Sequence, residues 1–378
     1  MQTRLFTEQF EGKTVPMNEC KHMLYDGLKN SQFLQLIDVV YTHKNAVVKG
    51  QPGHDAKDDL LWVIDAHHVE PSSCNILETM AKQTLQLKNN VPWHILAVDY
   101  GDNNELHHCS GLIDIIGTKH YRFAKRSIGR GREWVESNHF PSRGGFIQQQ
   151  QIGSGPILHI PYSARSDLST LFYQEVISRG FKTPLQIART ELDVAHFSAR
   201  TPKPYFDNLR NSVNVALQFL SGQTFAERPH DPVKVFTGLA GSAMKRGRNQ
   251  ANQEYVTKML QAKIVVVAQR DAWSGHYRLT EALLSGALIV ADETVVLPRG
   301  FRDGESIVIF TSFGDLREKL LYFLDPANEE ERFAVAQRGW EINQGYHRSW
   351  HVMEATVYGR PQTYVGDPIA NFNSHTTT

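Results

Sequence analysis

Residues 263–292 combine side chains suited to bind a diphosphate and a ribose, in a polar turn between an apolar run and an amphipathic stretch. The candidate ligands are Arg270, Trp273, Ser274, Gly275, His276, Arg278 and Glu281. A helix predicted to begin after the turn would offer free N–H groups and a positive dipole end to an anion, with a small turn residue as its cap. Arg278 suits phosphate oxygens, and Glu281, on the same helical face, could accept hydrogen bonds from ribose hydroxyls. An ordinary surface ion pair explains this spacing equally well, and Trp273 could either stack on a nucleobase or pack the loop.

A second basic turn follows the apolar run at 233–238 and reads GLAGSAMKRGRNQ. Its candidate binding residues are Gly238, Lys245, Arg246 and Arg248. The glycine permits close backbone approach, and the cations could neutralise a leaving pyrophosphate. The turn matches neither the P-loop nor the dinucleotide fingerprint, so a solvated basic turn is the alternative interpretation.

Short apolar runs alternate with longer amphipathic stretches along the whole chain, which predicts an α/β protein with parallel sheets covered on both faces. Strands are predicted at 33–41, 60–66, 93–100, 112–116, 156–162, 233–238, 263–269, 287–292 and 306–310. Helices are predicted at 73–87, 205–220, 250–261, 277–285, 313–324, 329–343 and 349–358. Residues 125–155 are basic and glycine-rich and are predicted to form a long loop, either functional or a surface excursion. The pattern divides into domains at 1–185 and 186–340, followed by a C-terminal helix and a frayed tail at 341–378.

Composition excludes several classes of protein. Forty Lys and Arg balance forty Asp and Glu over 378 residues, so a broad electrostatic grip on nucleic acid is not favoured. No apolar stretch reaches the length of a membrane helix. The three cysteines, Cys20, Cys74 and Cys109, are too few for a disulfide framework, so we expect a reducing compartment, the cytoplasm, or the Golgi lumen if a targeting segment has been removed. No histidine or cysteine spacing is typical of a zinc site, so no metal site is expected.

The stretch HYRLTEALLSGALIVADE resembles the donor-binding motif of GT-B glycosyltransferases and is most similar to that of exostosin-like enzymes, whose pattern is roughly Arg-Leu-x-Glu-Ala-Leu-x-x-Gly. Arg278 and Glu281 match the family's diphosphate and ribose residues. The later segment DGESIVIFTSFGDLREKLLYFL and the helical stretch around Gly339 are also similar, so that the resemblance covers 100–150 residues. The cysteine that exostosins carry before the motif is absent here, where the strand reads VVVAQRD, which marks a divergent member.

The resemblance implies a GT-B-like fold, with two Rossmann-like domains facing a central cleft and a last helix crossing back to the first domain. The first domain would bind the acceptor and the second a nucleotide-diphosphate sugar, with a UDP-sugar favoured. The expected activity is a hexosyl or pentosyl transfer, with inversion, to a hydroxyl of a glycan or glycoconjugate. No cofactor is required, and a divalent metal is not essential if arginines and a helix N-terminus balance the diphosphate charge.

Inverting transfer requires a base for the acceptor hydroxyl. Asp65, His67 and Asp99 are the candidates, because they follow predicted strands of the first domain, where ligands bind in such folds. The neighbourhood of Asp65 and His67 is slightly favoured. Each carboxylate could instead be a cap or loop acid, and a retaining enzyme would need no such base.

Three other functions stay open. A protein that binds nucleotide sugars without catalysis would keep the donor motif and show no turnover. The basic segments at 125–155 and 245–248 would suit a glycosyltransferase that modifies DNA, although the neutral total charge argues mildly against it. A dinucleotide-dependent oxidoreductase lacks its glycine-rich turn here.

Overall fold

The computed structural model describes residues 1–7, 19–41, 61–66, 71–87, 93–100, 108–126, 151–152, 155–198, 208–225, 231–240, 252–268, 277–293 and 297–358. The chain forms two α/β units, each with its own parallel sheet. The first unit contains the described residues up to Tyr162 together with the helix Ser349–Tyr358, and the second contains those from Ser163 to Arg348. The predicted α/β class, with two Rossmann-like domains built on parallel sheets, is confirmed.

In the first unit the strands are β1 (Gln2–Thr7), β2 (Gln35–Tyr41), β3 (Leu61–Asp65), β4 (His94–Asp99), β5 (Tyr121–Lys125), β6 (Gln151–Ile152), β7 (Gly155–Pro156) and β8 (Leu158–His159). Its helices are α1 (Glu19–Asn30), α2 (Pro71–Leu87), α3 (Ser110–Ile116) and the last helix of the chain. Among the described residues the sheet order is β2-β1-β3-β4-β5-β8, all parallel, and β6 pairs with β7 as a short antiparallel ribbon.

In the second unit the strands are β9 (Leu192–His196), β10 (Val235–Thr237), β11 (Ala262–Val267), β12 (Leu288–Asp292) and β13 (Val308–Phe310). Its helices are α4 (Ser166–Ser178), α5 (Asn208–Leu220), α6 (Gln253–Gln261), α7 (Tyr277–Leu284), α8 (Phe313–Leu324) and α9 (Glu329–Tyr346), and α10 is Ser349–Tyr358 in the first unit. The parallel order is β10-β9-β11-β12-β13 within the described chain.

Local sequence explains where several helices begin. The Ser312 hydroxyl accepts a hydrogen bond from the Asp315 N–H at 3.1 Å, which caps α8. The Asn252 side chain accepts from Glu254 N–H at 2.9 Å and caps α6. Continuous apolar runs such as that of β11 form strands buried on both faces of the sheet.

Both faces of each sheet are covered by apolar side chains. In the first unit the Trp62 ring lies between those of Phe6 and Trp93, with ring centroids 4.4 and 5.2 Å away. In the second unit one face of the sheet packs against α4, α6 and α7, and the other against α5, α8 and α9. These cores hold the carboxyl ends of the strands, where the candidate residues lie.

The last helix, α10, packs against α1 within the first unit. The Ser31 hydroxyl donates to Glu354 at 2.6 Å, and the Ser349 hydroxyl donates to Asp26. A Cβ atom on Gly27 would lie 2.6 Å from the Ser349 carbonyl oxygen, so this glycine permits the close helix contact. The described part of the chain contains no helix that is long and apolar enough to cross a membrane.

The domain boundary lies earlier than the sequence predicts. Leu168, Phe172 and Val176 of α4 are buried in a core that includes strands of the second unit, so the chain enters that unit at Ser163 rather than near 186. The sequence pattern gave no signal of this, because α4 is not among the predicted helices.

Two further sequence predictions are wrong. The run LIDII forms helix α3 instead of a strand, because Leu112 and Ile116, four residues apart, are buried on one helical face. Cys74 and Cys109 form a disulfide, although their number and spacing gave no reason to expect one. The expectation of a reducing compartment loses this support.

Candidate functional site

Arg278 and Glu281 lie near the start of α7, which begins at Tyr277 as predicted. Both side chains are half-buried. The Arg278 guanidinium lies 5.3 Å from the centre of the Tyr277 ring. The helix follows β11, so its first turn belongs to the carboxyl edge of the parallel sheet, where α/β proteins bind ligands.

Glu281 is held by a neighbouring helix. The Tyr255 hydroxyl, on α6, donates to the Glu281 Oε2 atom at 2.7 Å. Burial and the Glu281 charge raise the pKa of Tyr255 well above 10, while Arg278 opposes this shift. Because the hydroxyl keeps its proton, it is a permanent donor to the carboxylate.

A buried histidine lies at the same edge. His196 ends β9, and its Nδ1 atom lies 2.9 Å from the Asn214 Oδ1 of α5. Burial lowers the pKa of His196 to about 3, with the Asn214 bond opposing and the charges of Arg210 and Arg278 assisting. The ring is therefore neutral at pH 7, and the amide oxygen as acceptor assigns the proton to Nδ1.

Gly238 follows β10, and its N–H donates to the His196 carbonyl oxygen at 3.1 Å. Its φ of +140° is strained for other residues, which accounts for glycine at this position. The structure thus brings Gly238 and Arg278 to one edge of the sheet. The remaining predicted residues Lys245, Arg246, Arg248, Arg270, Trp273, Ser274, Gly275 and His276 lie outside the described residues.

The first unit brings candidate acids to the carboxyl edge of its own sheet. Asp65 ends β3 and Asp99 ends β4, and Asp65 lies in register with Val98. Asp99 is the register partner of Lys125, and the Lys125 Nζ atom donates to its carboxylate at 2.6 Å. Both of these side chains are 0% exposed, and Asp65 is 4% exposed. His67 lies outside the described residues.

A second cation adjoins this ion pair. The Arg126 Nε atom donates to the Tyr100 carbonyl oxygen at 3.0 Å, and its guanidinium lies 4.6 Å from the centre of the Tyr162 ring. The rings of Tyr100 and Tyr162 are stacked at 5.9 Å. The edge of the first sheet therefore buries the ion pair of Asp99 and Lys125, with Arg126 next to Lys125 in the chain.

Sequence reasoning missed four of these residues: Lys125, His196, Asn214 and Tyr255. The apolar run of β5 is interrupted by Arg122, and Lys125 was assigned to the following loop. Tyr255 is 26 residues from Glu281, and no local pattern links them. Only the paired strands and packed helices bring such residues together.

Within the described ranges, no group of three or more histidine, cysteine or acidic side chains is arranged to hold a metal ion. Among the described residues, the start of α7 and the Arg278 guanidinium are suited to bind an anion.

Residues 220–357 match a family model described as glycosyl transferase-like. The matched range contains α6, α7 and β12, and so the pair formed by Tyr255 and Glu281 as well as Arg278. This segment is therefore similar to a glycosyltransferase domain. No curated protein matches the chain by sequence.

Solved structures resemble 94–95% of the chain. A glycosyltransferase from Rickettsia africae is 9% identical, covers 94% of this chain and 97% of its own, and has a TM-score of 0.54. HepE from Anabaena in complex with UDP is 9% identical to this chain and has a TM-score of 0.44. The match covers 95% of this chain and 99% of HepE. The lipopolysaccharide outer core galactosyltransferase WaaB is 11% identical to this chain and has a TM-score of 0.44. The match covers 95% of this chain and 99% of WaaB. At 9% identity the first of these likenesses shows the fold alone: the chain has the fold of that glycosyltransferase.

Proposed function

We propose that this protein is a glycosyltransferase that moves a sugar from a nucleotide-diphosphate sugar, with a UDP-sugar favoured, to a hydroxyl of a glycan or glycoconjugate. The observation that carries the proposal is the placement of Arg278 and Glu281 at the start of α7, within the matched glycosyltransferase domain. A cation and an acid one turn apart there suit the diphosphate and the ribose of such a donor. The exostosin-like pattern around them supports the same donor class.

We propose an inverting displacement. The acceptor oxygen bonds to the anomeric carbon while the bond from that carbon to the diphosphate oxygen breaks, and the diphosphate leaves with the electron pair. Arg278 and the N–H groups in the first turn of α7 would stabilise the negative charge that develops on it. The proton of the acceptor hydroxyl would pass to a carboxylate.

Asp65 is our choice for this base. Asp99 is fully buried and its carboxylate already binds Lys125, so Asp99 suits a positioning role better. Replacing each by asparagine should separate the roles, because loss of the base reduces turnover and leaves donor binding intact. If neither substitution slows turnover, the base is a different group or the enzyme retains configuration.

We propose that no divalent metal is essential, because the arginine and the helix start can balance part of the diphosphate charge. Adding EDTA should leave the rate unchanged. A rate that falls with EDTA and recovers with Mg²⁺ would contradict this part of the proposal.

Calorimetric titration with UDP and with uridine tests the donor site. Arg278→Ala should weaken UDP binding about 10-fold or more and leave uridine binding unchanged, since a charged hydrogen bond contributes about 1.5–3 kcal/mol. Arg302→Ala is the matched control, because Arg302 is 74% exposed and lies in the same unit. Equal UDP affinity in wild type and Arg278→Ala would remove this site assignment.

A screen of nucleotide sugars for donor hydrolysis would then identify the sugar. Binding without turnover of any donor, in the presence of glycan acceptors, would favour a nucleotide-sugar-binding protein over an enzyme.

A further inference from the structure

Tyr255 belongs to an aromatic cluster beside the proposed donor site. Its ring meets that of Phe197 edge-on at 5.1 Å, and Phe197 lies 5.4 Å from Phe236. The Lys258 ammonium lies 4.9 Å from the centre of the Phe236 ring. Phe197 follows β9, Phe236 belongs to β10, and Tyr255 to α6. The ring of Tyr255 therefore packs against Phe197, which in turn packs against Phe236, and this packing limits the movement of the ring.

That hydroxyl is aimed at one atom, the Glu281 Oε2, at 2.7 Å. A glutamate has three rotatable side-chain bonds, and its terminal torsion is broad unless a partner fixes it. Tyr255 supplies this partner from another helix. The hydroxyl keeps its proton at neutral pH, because burial and the Glu281 charge raise the pKa of Tyr255.

We propose that Tyr255 is a positioning residue for the ribose of the donor, acting by fixing the direction in which Glu281 presents its carboxylate. The inference rests on the proposed function, in which Glu281 accepts hydrogen bonds from the ribose hydroxyls. Each carboxylate oxygen has two acceptor sites, so the Oε2 atom can accept from Tyr255 and from a ribose hydroxyl together. A carboxylate held in this way loses less entropy when it binds a diol.

Tyr255→Phe removes the hydroxyl and keeps the ring packed among its aromatic neighbours. It should reduce affinity for UDP about 10-fold, because a hydrogen bond to a charged group is disturbed. Affinity for 2′,3′-dideoxyuridine diphosphate, which has no ribose hydroxyls, should stay within about 2-fold of wild type. The ratio of the two affinities is a readout that a merely structural role would not change.

Tyr322→Phe is the matched control. The Tyr322 hydroxyl also donates to a glutamate, Glu331, at 2.6 Å, but this pair is exposed at the surface of the second unit. Its removal should leave the affinities for both nucleotides unchanged. Any loss common to the two variants would measure the general effect of removing a tyrosine hydroxyl.

Calorimetry with the two nucleotides on wild type and the variants decides the outcome. The proposal is supported if Tyr255→Phe lowers the ratio of the affinity for UDP to the affinity for dideoxy-UDP about 10-fold. It is overturned if the ratio keeps its wild-type value, or if both affinities fall equally. Arg278→Ala separates the failures: if that variant loses UDP affinity and Tyr255→Phe keeps the ratio, only this inference fails. If wild type binds neither nucleotide, the proposed function and this inference fail together.

Discussion

Arg189 joins the ends of two helices in the second unit, and its replacement by methionine should cost that unit about 3 kcal/mol. The guanidinium donates to backbone carbonyl oxygens of Pro184, Met259, Leu260, Ala262 and Ser285. Some of these carbonyls lie at the C-terminal ends of α6 and α7, where the helix dipole favours a cation. Burial, helped by nearby arginines, lowers the pKa of Arg189 to about 9, so the group is charged at pH 7.

The magnitude follows from the distances. The bonds to Ala262, at 2.7 Å, and to Ser285 are short, and each charged bond contributes about 1.5 kcal/mol at the low end of the usual range. The bonds to the other carbonyls are 3.2 to 3.4 Å long, and their weaker contribution to the free energy of unfolding is left out of this sum. Methionine keeps the apolar stem and removes every donor, so about 3 kcal/mol should be lost. For a domain of this size the melting temperature should fall by about 6–12 °C.

Thermal unfolding followed by circular dichroism provides the assay. Arg302→Met is the matched control, because Arg302 is 74% exposed and lies 3.6 Å from Glu305 in a surface pair worth less than about 1 kcal/mol. Arg189→Lys should fall between wild type and methionine, since an ammonium cannot reach carbonyls on both helices in the same way. The reasoning is refuted if Arg189→Met melts within about 2 °C of the Arg302 control.

Three further predictions concern stability. Reducing the Cys74–Cys109 disulfide, which spans 35 residues, or replacing both cysteines by serine should lower the free energy of unfolding of the first unit by about 3–4 kcal/mol in urea; equal stability with and without reductant would contradict this. The pKa of His196 is about 3 in the folded chain and 6.5 in the unfolded chain. Because the unfolded chain therefore binds a proton more readily, the free energy of unfolding is highest above pH 6.5 and is lower by about 2 kcal/mol at pH 5. His196→Gln should flatten this part of the pH profile in urea unfolding, and an unchanged slope would argue against it. Gly27→Ala should destabilise the first unit by about 1–3 kcal/mol by separating α1 from α10, whereas Gly314→Ala, with no atom nearer than 3.8 Å, should be neutral or stabilising in the same assay.

Sequence patterns predicted the elements whose signals are local. Helix α8 begins and ends at the predicted residues, because Ser312 caps it and its apolar residues recur at helical spacing. Strands β3, β4, β11 and β12 lie within one or two residues of the predicted runs because each is a continuous apolar segment. By contrast β9, with the sequence LDVAH, was missed since Asp193 and His196 interrupt its apolar character.

The polar residues of this missed strand have tertiary partners. Asp193 accepts hydrogen bonds from Lys263 Nζ at 2.8 Å and from the N–H of Lys234 at 3.0 Å. His196 is bonded to Asn214. A polar residue in a strand counts against that strand in the sequence pattern, although the folded chain satisfies it through residues far away along the chain.

The candidate site also contains residues that the sequence pattern could predict and residues that it could not. The spacing of Arg278 and Glu281 could be read from the sequence because both belong to one helix and one face. The groups that orient the candidate residues come from other elements: Tyr255 for Glu281, and Lys125 for Asp99. No pattern within a single element contains this information.

This division has a physical reason. A catalytic or binding side chain must hold its geometry to within a fraction of an ångström, and neighbours in the same helix cannot fix all its torsions. A partner on a second element, such as the Tyr255 hydroxyl on α6, constrains the end of the Glu281 side chain while the backbone of α7 constrains its beginning. Lys125 does the same for Asp99 from the adjacent strand, and the two residues are fully buried, so their desolvation must be offset by a close and well-aligned contact. The groups expected to touch the substrate can therefore be recognised by local spacing, while the groups that orient them can be recognised only once strand register and helix packing are known.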